Sequence, residues 1–436
     1  MPEGGAAPLP LHAYRFLTAA LAPLAPALIS HRLKRGKEHP ARLRERYGRS
    51  QISRPAGPLA WIHCASVGEL LTVIPLMARI REKGLDLLCT SGTVTSAKLA
   101  ELRLPKGGIH QFVTLDAPQF VNRFFDHWQP DLAIFVESDL WPNLIATSAR
   151  RGIPLILVNG RLSERSFRRW RWAPHTAAQL LRCFDLCLAQ SAADAERYRD
   201  LGAPRVATTG NLKLDVPDAP ADPGRLAELA AALRQRTVIA GASTHSGEET
   251  VLMDAHRRLR HSFAGLLTII APRHPERGQD ILEIARAENL RASLRSRGEL
   301  PGVDTDIYIA DTVGELGLVY RVAPIVFVGG SLATHGGQNP IEPIKLGAAI
   351  LHGPHVWNFA EIYAALDRAH GAEQVTDMGK LALRAGAWLK DAGARAAVVT
   401  AARATVAALG GGLERTVAAL DPYFMQIRLE RGRHDA

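Results

Sequence analysis

Along the chain from Leu59, short apolar runs alternate with longer stretches whose apolar residues recur at helical spacing. The short apolar runs are typical of buried strands and fall at residues 59–64, 85–90, 109–114, 132–136, 153–158 and 186–189. The longer amphipathic stretches predict helices at residues 70–83, 95–104, 118–128 and 140–150. This alternation predicts an α/β domain built on a doubly wound parallel sheet.

The pattern stops at residues 216–224, where three prolines and little apolar content favour a linker. It then restarts, with strands predicted at residues 237–240, 266–271, 307–310, 325–328 and 349–351. The alanine-rich end, from residue 381 to about residue 420, is predicted to be helical. We therefore predict two Rossmann-like parallel-sheet domains that face a central cleft, with functional loops at the carboxyl ends of the strands. Neither first strand is followed by GxGxxG, and GxxxxGK[ST] does not occur, so dinucleotide-binding and P-loop functions lose their main support.

The N-terminal segment has a different pattern. Residues 13–29 are apolar except for Tyr14, Arg15 and Thr18, and residues 31–54 then carry nine lysines and arginines against two glutamates. The apolar stretch is shorter than the ~20 residues of a spanning helix, and two prolines interrupt it. An apolar stretch followed by a basic one favours a helix that lies in, or barely crosses, a bilayer, with the basic flank on anionic cytoplasmic headgroups. The alternative is an apolar helix packed on the protein itself, although nine cations have no obvious use in a core.

Composition narrows the function classes further. With 47% apolar and 22% charged residues the chain is an ordinary globular protein, and its net charge of +10 points to an anionic partner. Most of that charge lies in the basic segment, which holds one aromatic residue, Tyr47, so nucleic-acid binding is disfavoured. Four cysteines without a CxxC pair exclude a disulfide scaffold, disfavour structural zinc and indicate reduced thiols in a cytosolic compartment.

Two carboxylates lie where predicted strands end. Ser66 and Glu69 follow the first strand and fit a helix capping box, but a carboxylate at such a junction is equally well placed as a general base. Glu137 directly follows the fourth strand, where an apolar residue would pack better, so a functional role is favoured there. Asp139 could be a helix N-cap.

Further along, Arg161, Ser163 and Arg165 open a segment with five arginines against one glutamate over residues 161–171. Ser163 can cap the helix that follows, and the arginines predict an anion-binding rim. A solvated helix face is the alternative interpretation.

The second half places small and polar residues at comparable junctions. Ser243 and Thr244 precede a helix N-terminus, which is a ready anion site, and Arg273 follows the strand at 266–271. Gly330 is one of four glycines beside a third junction and lets backbone approach a ligand closely. Asn339 and Glu342 there fit a helix start with Pro340 between them, although Glu342 could also bind ribose hydroxyls. Together these residues predict a nucleotide site in the second half.

Taken in order, these segments resemble the 3-deoxy-D-manno-octulosonic acid (Kdo) transferases of lipopolysaccharide synthesis. The resemblance rests on the Arg-Glu-Arg-Tyr-Gly at 44–48 and on residues 66–69, 137–143, 159–166, 210–213, 243–249, 272–277, 329–342 and 353–355. It implies a GT-B fold with a membrane anchor at 1–54, an acceptor domain at 55–215 and a donor domain at 216–436, whose last helix can pack back on the acceptor domain. Asp139 and Gln338 depart from the family, which usually has Glu and His there.

The resemblance also implies the reaction: inverting transfer of Kdo from CMP-Kdo to a phosphorylated lipid A precursor, lipid IVA, at the cytoplasmic face of the inner membrane. In it Glu69 is the general base and Glu137 a second essential carboxylate. The expected donor-binding residues are Lys213, Ser243, Thr244, Arg273, Gly330, Asn339 and Glu342, and the expected acceptor or anion rim is Arg161, Ser163 and Arg165. Since CMP leaves with one phosphate, a helix N-terminus with Lys or Arg can stabilise it, and no metal is expected. The alternative is a GT-B transferase or epimerase that uses a UDP-sugar.

Overall fold

The computed structural model describes residues 9–138, 140–234 and 236–432, which divide into two compact units. The first unit takes in the described residues up to Val216 and those from Gly410 onward, and the second comprises Pro217–Leu409. Asp139 lies outside the described residues.

After two N-terminal helices, the first unit alternates strands and helices, with two consecutive helices before the sixth strand. In chain order these are α1 (Leu9–Leu21), α2 (Ala25–Lys34), β1 (Leu59–Cys64), α3 (Val67–Glu82), β2 (Asp86–Ser91), α4 (Val94–Arg103), β3 (Ile109–Phe112), α5 (Pro118–Trp128), β4 (Leu132–Val136), α6 (Pro142–Arg150), β5 (Leu155–Gly160), α7 (Glu164–Trp170), α8 (Pro174–Leu181), β6 (Leu186–Ala189), α9 (Ala192–Asp200) and β7 (Val206–Thr208). Within the described residues the seven strands form one parallel sheet, ordered β3-β2-β1-β4-β5-β6-β7.

Helices cover both faces of this sheet, so its central strands are buried on both sides. Every residue of β1 and β4 is buried, which explains why these strands read as continuous apolar runs. Trp61 packs on one face against Phe124, Phe125 and Phe135, and Ile62 packs on the other face with Val73 of α3.

The second unit repeats the same plan. Its elements are α10 (Pro223–Ala232), β8 (Val238–Thr244), α11 (Glu248–Leu259), β9 (Leu267–Pro272), α12 (Gly278–Ala287), β10 (Ala292–Leu294), β11 (Ile307–Ile309), α13 (Leu316–Val322), β12 (Ile325–Val328), α14 (Ile341–Lys345), β13 (Ala349–His352), α15 (Ala360–Arg368), β14 (Ala372–Gln374), α16 (Met378–Lys390) and α17 (Ala392–Leu409). The seven strands among its described residues are again parallel, in the order β10-β11-β9-β8-β12-β13-β14.

The predicted class of two Rossmann-like parallel-sheet domains is confirmed, and the missed strands share one property. β7, β10 and β14 have three residues each and lie at sheet edges, where a strand needs no continuous apolar run. The prediction of one helical stretch from 381 to about 420 was also incomplete, because the chain breaks between α16 and α17 and again at Gly410–Gly411.

The last helix, α18 (Gly412–Gly432), belongs to the first unit. The Asp215 carboxylate accepts the backbone N–H groups of Gly411 and Leu413, each at 2.8 Å, which satisfies donors at the start of the helix. Its buried apolar residues pack with α3 in the core on one side of the first sheet, and they are Val417, Leu420, Phe424 and Ile427.

The N-terminal segment is attached to the protein partly through polar groups, while most of its large apolar side chains face outward. The Tyr14 hydroxyl donates to Asp116 at 3.0 Å, and the Asn143 amide donates to Thr18 at 3.0 Å. The large apolar side chains that remain exposed are Phe16, Leu17, Leu21, Leu24 and Leu28. By length and composition, Pro10–Lys34 is one of two described helical stretches that could cross a membrane, the other being Ala392–Arg431.

The two prolines of this segment lie where its α-helix is interrupted, since α1 ends at Leu21 and α2 begins at Ala25. Pro23 and Pro26 each stand at the first or second position of a helical element, where their missing N–H groups need no partner. The segment therefore continues as one helical path through the 3-10 turn Ala22–Leu24. Ala22 and Ala25 pack on Phe120 of α5, so the helix is also attached to the protein, as the alternative interpretation required.

The basic segment is held down by a buried ion pair. Arg46 is 4% exposed and lies 2.8 Å from the Glu38 carboxylate, which is 5% exposed and also accepts from Arg32 at 2.6 Å. Arg46 donates in addition to the carbonyl oxygens of Val113 at 3.0 Å and Gly92 at 2.7 Å. Burial lowers the pKa of Arg46, and the Glu38 carboxylate opposes that shift. These hydrogen bonds and ion pairs therefore fix residues 32–46 to the loops after β2 and β3.

We predict that Glu38→Gln destabilises the first unit by about 3 kcal/mol, because it leaves the buried Arg46 guanidinium without its counter-charge. Denaturant unfolding followed by tryptophan fluorescence measures this, since Trp61 and Trp128 are buried in that unit. The matched control is Glu101→Gln, which removes a 63% exposed carboxylate 3.5 Å from Arg42 and should cost under about 1 kcal/mol. Equal effects of the two variants would contradict a stabilising role for the buried pair.

Candidate active site

Glu137 ends β4 in a conformation that few side chains adopt. Its φ is +60°, its N–H donates to the carbonyl oxygen of Val158 at 3.0 Å, and its own carbonyl accepts from the Tyr198 hydroxyl at 3.3 Å. The Lys213 ammonium lies 2.7 Å from Glu137 Oε1, and both side chains are mostly buried. Strained backbone of this kind persists where surrounding contacts hold it, and it clusters at functional sites. Lys213, expected among the donor-binding residues, therefore lies against Glu137 in the first unit.

Asn159 supports this pair, and sequence reasoning missed it although it lies in one of the resembling segments. It is fully buried near the end of β5, with a φ of +56°. Its Oδ1 accepts the N–H of Leu212 at 3.0 Å, at the start of the 3-10 turn Leu212–Leu214 that carries Lys213. Asn159 thus fixes the backbone from which Lys213 reaches Glu137. An asparagine directly after an apolar run was the available signal.

Glu69 forms the capping box that the sequence predicts. Ser66 Oγ accepts the Glu69 N–H at 3.3 Å, and the Glu69 carboxylate accepts from the Ala65 N–H at 2.7 Å and from the Ser66 hydroxyl at 2.9 Å. These bonds aim the half-buried carboxylate at the carboxyl end of β1. An ionised carboxylate has about four acceptor positions, so its capping bonds leave room to accept a substrate proton.

The residues of the expected anion rim are less tightly organised. Ser163 caps α7 by accepting the Ser166 N–H at 3.2 Å. Arg165 is exposed, and Arg161 is half-buried just before the helix. Trp172, two residues past the end of α7, is 90% exposed.

In the second unit, the glycine-rich loop after β12 is built around a buried carboxylate. Glu248 is 1% exposed and accepts five backbone N–H groups at 2.7–3.1 Å, those of His245, Gly330, Ser331, Leu332 and Ala333. A side chain on Gly329 would lie 2.5 Å from the carbonyl oxygen of Ser243, whose own φ is +55°. The loop is therefore pressed against the end of β8.

The neighbouring glutamate holds side chains and not backbone N–H groups. Glu249 is buried and accepts from the Thr244 hydroxyl at 3.0 Å and from Arg277 at 2.7 Å. No side chain caps the start of α11, because Gly247, with a φ of +92°, precedes it. Glu248 was missed because two adjacent glutamates at a helix start look like ordinary first-turn residues.

The other expected donor-binding residues lie around the same strand ends. The Arg273 N–H donates to the carbonyl oxygen of Thr244 at 3.0 Å, and its side chain is exposed. Asn339 Oδ1 accepts the Ile341 N–H at 2.9 Å, and its amide lies 3.4 Å from Glu342. The helix begins one residue later than predicted, at Ile341, and burial raises the pKa of Glu342.

Imidazoles gather beside this loop. The rings of His245 and His335 stack with centroids 4.1 Å apart, and Gln338 Nε2 lies 3.4 Å from His245 Nε2. Burial, followed by the nearby His335, lowers the pKa of His245. In the parts of the chain that the structure describes, no group of three or more His, Cys, Asp or Glu side chains is placed to hold a metal ion.

We predict that Glu248→Gln loosens the glycine-rich loop, because a glutamine offers one acceptor oxygen where the carboxylate offers two. Amides 330–333 should exchange hydrogen at least about tenfold faster, since one lost charge-assisted bond is worth about 1.5 kcal/mol or more. Hydrogen exchange with mass spectrometry measures this. The control Glu276→Gln, at a 75% exposed carboxylate in the same unit, should leave these amides unchanged. Unaltered exchange in Glu248→Gln would refute the role of the carboxylate.

The sequence and the fold of this chain are similar to those of known proteins. Residues 41–216 match the family described as 3-Deoxy-D-manno-octulosonic-acid transferase (kdotransferase). The chain is 36% identical to the probable mitochondrial 3-deoxy-D-manno-octulosonic acid transferase of Arabidopsis thaliana, over 85% of this chain and 86% of that one. It is 33% identical to the 3-deoxy-D-manno-octulosonic acid transferase of Haemophilus influenzae, over 88% and 91%. A solved glycosyltransferase from Rickettsia africae, 12% identical, shares the two-domain GT-B fold with a TM-score of 0.60 over 86% of this chain and 99% of that one. The chain is therefore a member of the 3-deoxy-D-manno-octulosonic acid transferase family.

Proposed function

We propose that this protein transfers Kdo from CMP-Kdo to a phosphorylated lipid A precursor, lipid IVA, with inversion at the anomeric carbon. The observation that carries the proposal is the 36% identity to a Kdo transferase across 85% of the chain. The placement of Glu69 and Glu137 after strands of one sheet, with Lys213 against Glu137, supports it.

Glu69 serves as the general base in this proposal. Its carboxylate takes the proton of the acceptor hydroxyl while that oxygen attacks the anomeric carbon of Kdo, and the bond to CMP breaks on the opposite face. One placed carboxylate suffices for such a single displacement. The hydrogen bonds from Ala65 and Ser66 fix the carboxylate so that little reorganisation is needed during the reaction.

Glu137 and Lys213 act as a fixed ion pair beside the acceptor. With its Oε1 2.7 Å from the ammonium, Glu137 stays in place and keeps a second oxygen for a hydroxyl of the acceptor. Asn159 holds the pair through Leu212, so it is a positioning residue. Arg161, Ser163 and Arg165 would guide the phosphates of the acceptor, for which exposed guanidinium groups are suited.

The second unit binds the CMP part of the donor. Glu248 already engages the N–H groups of Gly330 to Ala333, so the loop shapes the site and stabilisation of the leaving phosphate falls to other groups. Arg273 and the N-terminus of the twelve-residue helix α11 are suited to that task. Ser243 and Thr244 line the same strand end, while Asn339 and Glu342 would recognise hydroxyl groups of the nucleotide.

We place the protein at the cytoplasmic face of the inner membrane. The support is the row of exposed apolar side chains from Phe16 to Leu28 together with the basic residues that follow. Apolar burial with an anionic-lipid attraction is the usual basis of interfacial helix binding.

The test is to incubate the protein with CMP-Kdo and lipid IVA and to weigh the product by mass spectrometry. We expect one or more Kdo additions, and Glu69→Gln should lower kcat at least about a hundredfold, the usual share of a general base. The matched control is Glu82→Gln, at the far end of α3, which should turn over normally. Turnover of a UDP-sugar in place of CMP-Kdo would favour the UDP-sugar alternative. Normal turnover of Glu69→Gln with CMP-Kdo would reduce Glu69 to a helix cap.

We also propose that transfer needs no divalent metal, because cationic side chains and a helix N-terminus can stabilise a single leaving phosphate. Turnover should persist in excess chelator at an unchanged rate. Activity that a chelator abolishes and magnesium restores would contradict this proposal.

A further inference from the structure

A cavity of about 560 Å³ in the first unit is not used by the proposed reaction. It lies between the turn that follows the 3-10 helix Pro40–Tyr47 and the second half of α5. Its lining includes Arg44, Gly48, Arg49, Arg123, Asp126 and His127, and we call it the arginine pocket. Arg44 and Gly48 belong to the Arg-Glu-Arg-Tyr-Gly segment, which the proposed reaction leaves without a role.

The arginine pocket carries an unbalanced positive charge. Among the residues that the structure describes, none forms an ion pair with Arg44, Arg49 or Arg123, all of which are exposed. Asp126 is the carboxylate of the lining, and it lies 2.6 Å from Arg151. His127 Nε2 donates to the carbonyl oxygen of Ile52 at 2.8 Å. Three guanidinium groups around one cavity repel one another unless an anion is bound there.

The walls of the pocket are fixed in place. Gly48 has a φ of +74°, and a side chain there would lie 2.1 Å from the carbonyl oxygen of Phe120 in α5, so the turn is in direct contact with the helix. Tyr47 packs edge-on against the Phe120 ring at 5.4 Å, and Arg123 lies over the same ring at 5.7 Å. Arg44 and Arg49 are thereby held on one wall and Arg123 on the other.

Phe120 connects the pocket with the N-terminal helices. It packs against Ala22 and Ala25, on the inner side of the segment whose outer side exposes Leu21, Leu24 and Leu28. Because Phe120 contacts both this segment and Arg123, insertion of the outer side into a bilayer would bring the pocket close to the lipid headgroups. Guanidinium groups bind phosphate oxygens in pairs, which an ammonium group does not do.

We propose that the arginine pocket binds the phosphate of an anionic phospholipid headgroup and so fixes the height and orientation of the first unit on the membrane. This inference rests on the membrane attachment proposed above and not on the identity of the donor or acceptor sugar. Inorganic phosphate shares the chemistry of the headgroup, so the test includes it as a separate arm.

The test compares two triple variants of equal charge in the full-length protein. Arg44→Gln/Arg49→Gln/Arg123→Gln removes the three guanidinium groups of the pocket, and Lys34→Gln/Arg35→Gln/Lys37→Gln removes the same charge from exposed residues of the basic segment outside it. Binding is measured by co-sedimentation with phosphatidylcholine vesicles that contain about 30 mol% phosphatidylglycerol or none. We expect the pocket variant to lose at least about tenfold more affinity for the anionic vesicles than the control variant. Arg123→Lys alone should also bind more weakly, since it keeps the charge but loses paired hydrogen bonds.

Equal losses in the two triple variants would overturn the proposal and leave only diffuse electrostatic attraction. If inorganic phosphate displaces the protein from anionic vesicles at low millimolar concentration, or raises its unfolding temperature as much as the vesicles do, the ligand is free phosphate and the lipid assignment fails. Circular dichroism and unfolding temperature establish that each variant is folded, and the single Arg123→Lys variant decides the matter if the triple one is not. Vesicle binding needs no turnover, so failure of Kdo transfer would leave this result interpretable.

Discussion

Burial of both sheets on both faces is the constraint from which the rest of the molecule follows. A central strand such as β1 or β4 has no polar side available, so groups that carry chemistry can appear only where the strand ends. Glu137, Asn159 and Ser243 all lie at or next to such ends, and each has a positive φ of 55–60°. The chain turns away from the sheet there at a residue that is not glycine, which is unfavourable unless neighbouring contacts hold it. Those contacts, from Tyr198, Lys213 and the backbone of Leu212, are also the ones that organise the candidate site.

A second regularity concerns carboxylates that accept backbone N–H groups. Glu248 holds the glycine-rich loop, Asp215 holds the start of α18, and Asp116 accepts from the N–H groups of Asn143 and Leu144 at 3.0 Å each. In each case an ionised side chain satisfies donors that secondary structure leaves unpaired, and the bond is stronger than a neutral one. The loops near the site are therefore ordered by charge, and comparatively little apolar burial is needed to fix them.

The sequence predicts the central strands well because double-sided burial demands continuous apolar runs, as in β1 and β4, whose predicted and observed bounds coincide. It predicts Glu137 for the same reason, since a charged residue after such a run stands out. It does not predict Glu248, because the value of that carboxylate depends on amides more than 80 residues later in the chain, which only the folded loop brings to it. Asn159 is hidden in a similar way, since its partner Leu212 lies 53 residues away. The sequence pattern therefore identifies a polar residue that stands where an apolar one is expected, such as Glu137. It does not identify polar residues that hold a loop through hydrogen bonds to distant parts of the chain, because those partners come together only in the folded protein.

The arginines of the basic segment likewise include some that pair with glutamates of the segment and others that are exposed to solvent. Arg42 lies 2.8 Å from Glu45, and Arg46 forms a buried pair with Glu38, so neither is available to an external anion. Both guanidinium groups also lie 4.8 Å from the Phe112 ring. Burial, followed by the charges of these two arginines, lowers the pKa of the adjacent His110 to about 3. Arg44 alternates with them along the 3-10 helix and is exposed. In a three-residue turn, residues two apart point to different sides, so one short basic segment can anchor itself to the sheet and still present cations outward. The net charge of +10 already counts these glutamates against their arginines, so the attraction of this segment to a membrane is carried by its exposed cations such as Arg44.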